Sequence, residues 1–386
     1  MRKLFIILMI FGLYSCKNSV SFQEYLATEY KFNNTGQEFF STKEDKGIYL
    51  VSNINGVVDT LLFDTGYTGI FFYAQNINGV EDINDLKSKT YTTPTEKVKF
   101  PSKKVNGVSI NNDLLSINNH TCVVNYYEKS KSDDKKHSIL GFSLIQENNI
   151  VVKLSYSENK LYFFDTNKID TDGYFEVKSD FNPRRLYVYI TIDGREYKCL
   201  FDTGNSGNLL LDKKNFKYHN DSTCVEFEGA LIANIKQLYF SPASIKLKFQ
   251  YDIGESRNNL GYNLLFLKGV KKNNIGNELI SRYDWIIDSR NKKLYAKEIK
   301  DSTNIMIEEL ARNIPKLLKT DGFTCKAMEY NGKLTIVLKA KSNEKYKLMS
   351  VIKSVNGEII THENISYYSD LLSKTIDWST LNLVFE

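Results

Sequence analysis

Two aspartates carry the chemistry that this chain of 386 residues advertises. Asp64 stands in Leu62-Phe63-Asp64-Thr65-Gly66, and Asp202 in Leu200-Phe201-Asp202-Thr203-Gly204, the same five residues over again. Each Asp follows an apolar run, so it is delivered to the end of a buried strand. The Gly behind Asp-Thr lets the chain turn sharply and turns backbone N–H groups toward a carboxylate. The Thr hydroxyl can bond the backbone of the partner loop. If the two loops face each other, the carboxyls lie in contact, and like charges that close cannot both ionise. The pair then holds one proton. It can take a proton from a bound water while giving its own to a carbonyl, the route to the tetrahedral intermediate of amide hydrolysis.

The duplication extends beyond the pentapeptide. One ungapped offset sets Tyr49 on Tyr187, Ile54 on Ile192, Asn55 on Asp193, Gly56 on Gly194 and Gly69 on Gly207. Both halves therefore read as strand, Asn/Asp-Gly turn, strand, Asp loop. With slightly shorter offsets, Leu140-Gly141 answers to Ile275-Gly276, and Lys160-Leu161-Tyr162 to Lys293-Leu294-Tyr295. Two units of similar length built on one plan are expected. A lone Asp-Thr-Gly is ordinary turn chemistry, and two turns in a decayed repeat are the bland alternative. A metal reading lacks further Asp, Glu or His ligands at fixed spacing, so neither a metal nor an organic cofactor is expected.

Composition sets the frame for these loops. Hydrophobic residues make up 42%, with 25 Tyr and 23 Phe but only 5 Pro, and short apolar runs are punctuated by Asn, Asp and Gly. That is the signature of an all-β or β-rich chain. The formal charge is +5, and no basic stripe with interleaved aromatics appears, so nucleic acid is not an expected partner. His120, His137, His219 and His362 are scattered and receive no role.

The segment up to Cys16 reads as a targeting signal, with Arg2 and Lys3 as its positive start and Leu4 to Leu13 as its apolar core. Leu13-Tyr14-Ser15-Cys16 resembles the lipobox of bacterial lipoproteins, which implies lipidation at Cys16 and a body held at a membrane in the cell envelope, outside the cytoplasm. A secretory signal with an incidental Cys is the competing reading. Cys122, Cys199, Cys224 and Cys325 remain. They allow two disulfides in three connectivities, or buried free thiols, Cys199 above all.

Paired Asp-Thr-Gly loops, each followed by a segment ending in Gly (Ile139-Leu140-Gly141 and Asn274-Ile275-Gly276), resemble the aspartic peptidases of the pepsin and retropepsin type. The leader, the two halves and the tail together look like bacterial envelope aspartyl peptidases that end in a PDZ-like domain. The resemblance implies two pseudo-twofold-related retropepsin-like β lobes and a small C-terminal α+β PDZ-like domain. It further implies an aspartic endopeptidase acting on peptides or proteins with Asp64 and Asp202 as catalytic residues. Thr65, Gly66, Thr68, Gly141, Thr203, Gly204, Ser206 and Gly276 would support the loops. Family members carry Ser, Thr or Ala directly after Asp-Thr-Gly; here Tyr67 and Asn205 stand there, with hydroxyls one place on at Thr68 and Ser206. An inactive, peptidase-shaped module that binds peptides or partner proteins is therefore the alternative. A flap is expected between Asp64 and Ile139, with Tyr91 and Val105 to Ile117 as candidates.

The expected organisation is a leader over 1–16, a tether or first strand over 17–45, lobes over 46–165 and 183–299, a helical linker over 300–319 and the tail over 320–386. The linker rests on the helical spacing of Ile307, Leu310, Ile314 and Leu317, with Pro315 to kink or end it. In the tail, Lys333 to Leu338, the Val355-Asn356-Gly357-Glu358 hairpin, a helix over Asn364 to Leu372 and a last strand Leu381 to Phe385 look like a PDZ order. It either packs on the peptidase or adds a peptide strand. A small α+β cap without ligand is the other reading.

Overall fold

The computed structural model describes residues 28–41, 47–73, 87–92, 97–126, 137–165, 169–192, 194–205, 207, 209–212, 225–229, 238–241, 245–247, 264–267, 273–299 and 320–386. The leader with Cys16, the expected linker helix over 300–319, Asp193, Ser206, His219 and Cys224 lie outside them. The described chain is mostly β, with short helices, as the composition requires.

The first half contributes β1 (Glu29–Phe32), β2 (Gly36–Glu38), β3 (Ile48–Ile54), β4 (Val57–Asp64), β5 (Ile70–Tyr73), β6 (Lys87–Thr92), β7 (Lys97–Asn111), β8 (Leu115–Asn125), β9 (Ser138–Gly141), helix α1 (Phe142–Glu147), β10 (Val151–Ser155) and β11 (Lys160–Phe164). The second half contributes β12 (Phe175–Val177), β13 (Ser179–Asn182), β14 (Arg185–Ile192), β15 (Arg195–Phe201), β16 (Leu209–Asp212), β17 (Val225–Gly229), β18 (Leu238–Ser241), β19 (Ile245–Leu247), β20 (Leu264–Leu267), β21 (Asn274–Ile275), α2 (Asn277–Ile280), β22 (Tyr283–Asp288) and β23 (Lys293–Glu298). The tail holds α3 (Asp321–Thr324), β24 (Cys325–Tyr330), β25 (Lys333–Ala340), β26 (Ile352–Val355), β27 (Glu358–Ile359), α4 (Ile365–Lys374) and β28 (Leu383–Phe385).

Tight turns join the hairpins where Asn-Gly occurs. Between β3 and β4, Asn55 and Gly56 take φ of 49° and 82°, and between β26 and β27, Asn356 and Gly357 take 53° and 86°. These left-handed angles match the twist of the flanking strands, and Asn and Gly tolerate them best.

The first half forms a sheet running β1-β8-β5-β9-β4-β3-β7-β6, and the second half forms one that the tail strands extend, β13-β14-β15-β21-β16-β20-β18-β17-β25-β24, with β19 paired to β14. A third sheet, β12-β23-β22-β10-β11-β2, takes strands from both halves. Its seam is the antiparallel pair β10–β22, with Val151 opposite Asp288 and Leu154 opposite Trp285. One continuous core joins the first sheet, the third sheet and strands β14, β15, β16 and β21 of the second. Within it the residue preceding each Asp is anchored on the shared sheet: Phe63 lies 5.8 Å from Phe163 on β11, and Phe201 lies 4.9 Å edge-on from Trp285 on β22. All four rings are fully buried. Two strands from different halves are thus held against one slab, with their carboxylate ends side by side.

The stretch 165–183, expected as a connection between units, carries structure of its own. β12 pairs with β23 and β13 with β14, with only Lys178 between the two strands, and the chain enters β12 through a turn at Asp172-Gly173 closed by the Tyr174 N–H on the Thr171 carbonyl at 3.0 Å. Cys122, Cys199 and Cys325 are free and buried. Burial pushes the Cys122 and Cys325 thiols up to about 12, and Cys199 higher still, so all three rest as inert thiols. Among the described residues no helix is long and apolar enough to cross a membrane.

Candidate active site

The same three-strand arrangement supports both aspartates. β4 runs parallel to β9, with Asp64 opposite Gly141, while β5 returns antiparallel on the other side of β9. In the second half β15 runs parallel to β21 and β16 returns antiparallel, and the Asp202 N–H donates to the Ile275 carbonyl at 3.1 Å. The loop after each Asp must therefore cross the end of the intervening strand. At that crossing a Cβ on Gly141 would overlap the carbonyls of Gly69 and Tyr67, and one on Gly276 those of Gly207 and Asn205. The space is used by hydrogen bonds: Phe142 N–H to the Tyr67 carbonyl at 3.0 Å and Asn277 N–H to the Asn205 carbonyl at 2.8 Å.

The two loops then lock onto each other. Thr65 Oγ1 donates to the Phe201 carbonyl at 2.7 Å and accepts from the Thr203 N–H at 3.1 Å. Thr203 Oγ1 donates to the Phe63 carbonyl at 2.8 Å and accepts from the Thr65 N–H at 3.0 Å. Both threonines have no exposed surface, so these four bonds are made away from water, where leaving one out is costly. Gly66 lies against the Asp202 carboxylate and Gly204 against that of Asp64, each where a Cβ would overlap the carboxyl group. The loops thus bring Asp64, Thr65, Gly66, Gly141, Asp202, Thr203, Gly204 and Gly276 into one site.

Electrostatics follow from that contact. Asp64 Oδ1 accepts from the N–H groups of Gly66 at 2.7 Å and Tyr67 at 3.2 Å. Asp202 Oδ1 accepts from Gly204 N–H at 3.1 Å, and its Oδ2 from Asn274 Nδ2. Burial first, and then the charge and hydrogen bond of Asp202, hold the Asp64 carboxyl well above the usual aspartate range. Burial also raises Asp202, against which the hydrogen bonds from Asp64, Asn274 and Gly204, and the Arg185 charge, all pull down. Two buried carboxyls in contact cannot both ionise, so the pair can hold one proton between them, taking one from a water while giving one to an acceptor.

Thr68 does not join the carboxylates. It is exposed, and its hydroxyl faces the Arg184 carbonyl at 3.5 Å. The Tyr67 ring packs edge-on to Phe71 at 5.8 Å, leaving only its backbone N–H for Asp64. Asn205 does not reach Asp202 directly; its Nδ2 donates to Asn274 Oδ1 at 3.0 Å. Asn274 is the residue that sequence reasoning missed. It stands where an apolar residue is expected before Ile275-Gly276, and that departure was the available signal. Asn277 and Tyr156 were missed as well: Asn277 Nδ2 donates to the Thr203 carbonyl at 2.6 Å, and Tyr156 OH to Asn277 Oδ1 at 2.8 Å. Of the flap candidates, Tyr91 lies on β6 opposite Val98 of β7, and 105–117 covers the end of β7 and the start of β8; the tip of the β6–β7 hairpin, 93–96, is outside the described residues.

No family model matches this chain, and no curated protein matches it. Among solved structures, the crystal structure of basic 7S globulin from soybean is similar over 69% of this chain and 95% of that chain, at 8% identity and a TM-score of 0.42.

Proposed function

We propose that this protein is an aspartic-type endopeptidase of the cell envelope, built from two pseudo-twofold-related retropepsin-like lobes that each supply one catalytic Asp. The observation that carries the reading is the pair of carboxyls in mutual contact, Asp64 and Asp202, held by reciprocal threonine bonds. A water between them loses a proton to one carboxylate as its oxygen bonds to the substrate carbonyl carbon. The other carboxyl protonates the carbonyl oxygen. Collapse of the resulting diol breaks the C–N bond, with a proton delivered to the leaving nitrogen. The chain's own residues suffice for this, with no metal or organic cofactor.

The tail takes the role of a PDZ-like module. Its β24 ends the second half's sheet and α4 packs alongside, an arrangement suited to adding an extended peptide strand. A lipid on Cys16 tethers the body to a membrane, a reading supported by Leu13-Tyr14-Ser15-Cys16.

The test is cleavage of a diverse peptide mixture by the protein from Lys17 onward, between acid and neutral pH. Cleavage by the wild type, lost by a factor of about 10³ or more in both Asp64→Asn and Asp202→Asn, is expected, in line with removal of an acid or base that acts as part of a unit. A wild type that never cuts yet retains peptides would replace this reading with the binding module.

A further inference from the structure

We infer that Asn205 and Asn274 form a one-way hydrogen-bond relay that keeps Asp202 as the ionised partner of the pair and places the shared proton on Asp64. The inference rests on the dyad reading above and adds to it which carboxyl is base and which is acid.

The direction of the relay is set at its far end. The Gly207 backbone N–H can only donate, and it donates to Asn205 Oδ1 at 3.0 Å. That turns the Asn205 amide so that its Nδ2 faces Asn274 Oδ1 at 3.0 Å. Asn274 must then present its own Nδ2, a donor, to Asp202 Oδ2. A proton on Asp202 Oδ2 would meet an N–H group head-on, so that oxygen is held as an acceptor. Its other oxygen already accepts from Gly204 N–H. Asn274 is buried to 1% exposure, so the bond is made away from solvent.

The first half lacks every part of this device. Under the repeat, Asn274 corresponds to Ile139, and Asn205 to Tyr67, whose ring turns to Phe71. Both loop donors to Asp64, the N–H groups of Gly66 and Tyr67, converge on Oδ1, which leaves Oδ2 to carry the proton. Two loops alike in backbone are thus made unlike by two amide side chains. In the hydrolytic step Asp202 takes the proton from water and Asp64 Oδ2–H protonates the substrate carbonyl. The relay then makes protonated Asp202 a ready donor to the leaving nitrogen. Asn205 and Asn274 are positioning residues, since they act through the Asp202 carboxylate.

The experiment combines kinetics with a titration that needs no turnover. In the full chain from Lys17, Asn274→Leu is expected to move the acidic limb of the kcat/KM profile up by about one pH unit, with KM changed less than about twofold. Asn205→Ala moves it less, in the same direction. Asn274→Thr, which keeps one donor, recovers part of the shift. Carboxyl-labelled aspartate, followed by 13C NMR and assigned by loss of signal in Asp64→Asn and Asp202→Asn, is expected to show Asp202 ionising first in the wild type. In Asn274→Leu its ionisation rises toward that of Asp64. Asp64 ionising first, or an unchanged limb and titration in Asn274→Leu and Asn205→Ala, overturns the relay. If the wild type cuts no peptide but the titrations behave as stated, the peptidase reading falls and the relay stands; cleavage with unmoved titrations gives the reverse.

Discussion

Asp64 illustrates how burial and a like-charged neighbour set chemistry at the level of one residue. Its carboxyl is held above the ordinary aspartate range first by desolvation and then by Asp202. A folded-state pKa above the unfolded one means that the native protein binds the proton more tightly than the unfolded chain does. The resulting contribution to stability is complete below the unfolded value of about 3.9 and is lost as pH rises through the raised native value. As pH rises toward neutrality the burial of this carboxyl therefore works against the fold, because the unfolded chain releases the proton that the native pair holds. Asp64→Asn removes that titrating group, so the variant is expected to melt above the wild type at pH 7, by about 2–4 °C for each kcal/mol relieved, and near it at pH 4. Thermal unfolding at the two pH values reads this directly, and an Asp64→Asn that melts lower at pH 7 contradicts it. Asn274 makes the complementary point about legibility. An Asn before Ile-Gly at a strand end looks like turn punctuation, and only its neighbours reveal it as a donor to Asp202.

At the scale of elements, the two Asp loops act as a single cross-linked piece. Thr65→Val keeps the volume but removes the oxygen, leaving the Thr203 N–H and the Phe201 carbonyl unpaired inside the protein. At about 1–3 kcal/mol per orphaned buried group, a loss of about 3 kcal/mol is expected in urea unfolding, whereas Thr65→Ser, which retains the hydroxyl, stays within about 1 kcal/mol of wild type. Equal losses in both would mean that packing of the methyl, not the bonds, holds the loops. That a Thr hydroxyl would bond the partner loop is readable from Asp-Thr-Gly, because the motif puts a short donor beside the turn. What sets the loops face to face is the shared sheet, through Phe63 on Phe163 and Phe201 on Trp285. Those pairings join residues far apart in the chain and have no local signature.

On the scale of the molecule, the tail has its own core around Trp378, Tyr346, Leu372 and Ile336, yet it is stitched to the second half. β25 pairs antiparallel with β17, with Phe227 opposite Ala340 and Gly229 opposite Leu338. Removing 320–386 uncovers the edge of β17, and an open edge is a template for association with other chains. A chain ending at Ile299 is therefore expected to melt a few degrees lower and to associate as concentration rises, where the full chain does not. Light scattering across a concentration series checks this, and a truncated chain that stays monomeric with an unchanged Tm would show that the tail contributes nothing to the body.

By itself the sequence determined the strand-rich class, the Asn-Gly hairpins, the repeat, the two aspartates and the glycines at 66, 141, 204 and 276. Each is written locally, in side-chain periodicity, in turns that only Asn and Gly tolerate, or in strand ends too crowded for a Cβ. Only the tertiary structure decided that Thr68 turns away and that Asn274 serves Asp202. It also decided that β12 and β13 occupy the expected connection, and that the tail extends the second half's sheet. Those outcomes depend on which distant groups meet, and a side chain carries the same letters whether its hydrogen-bond partner lies two residues away or seventy.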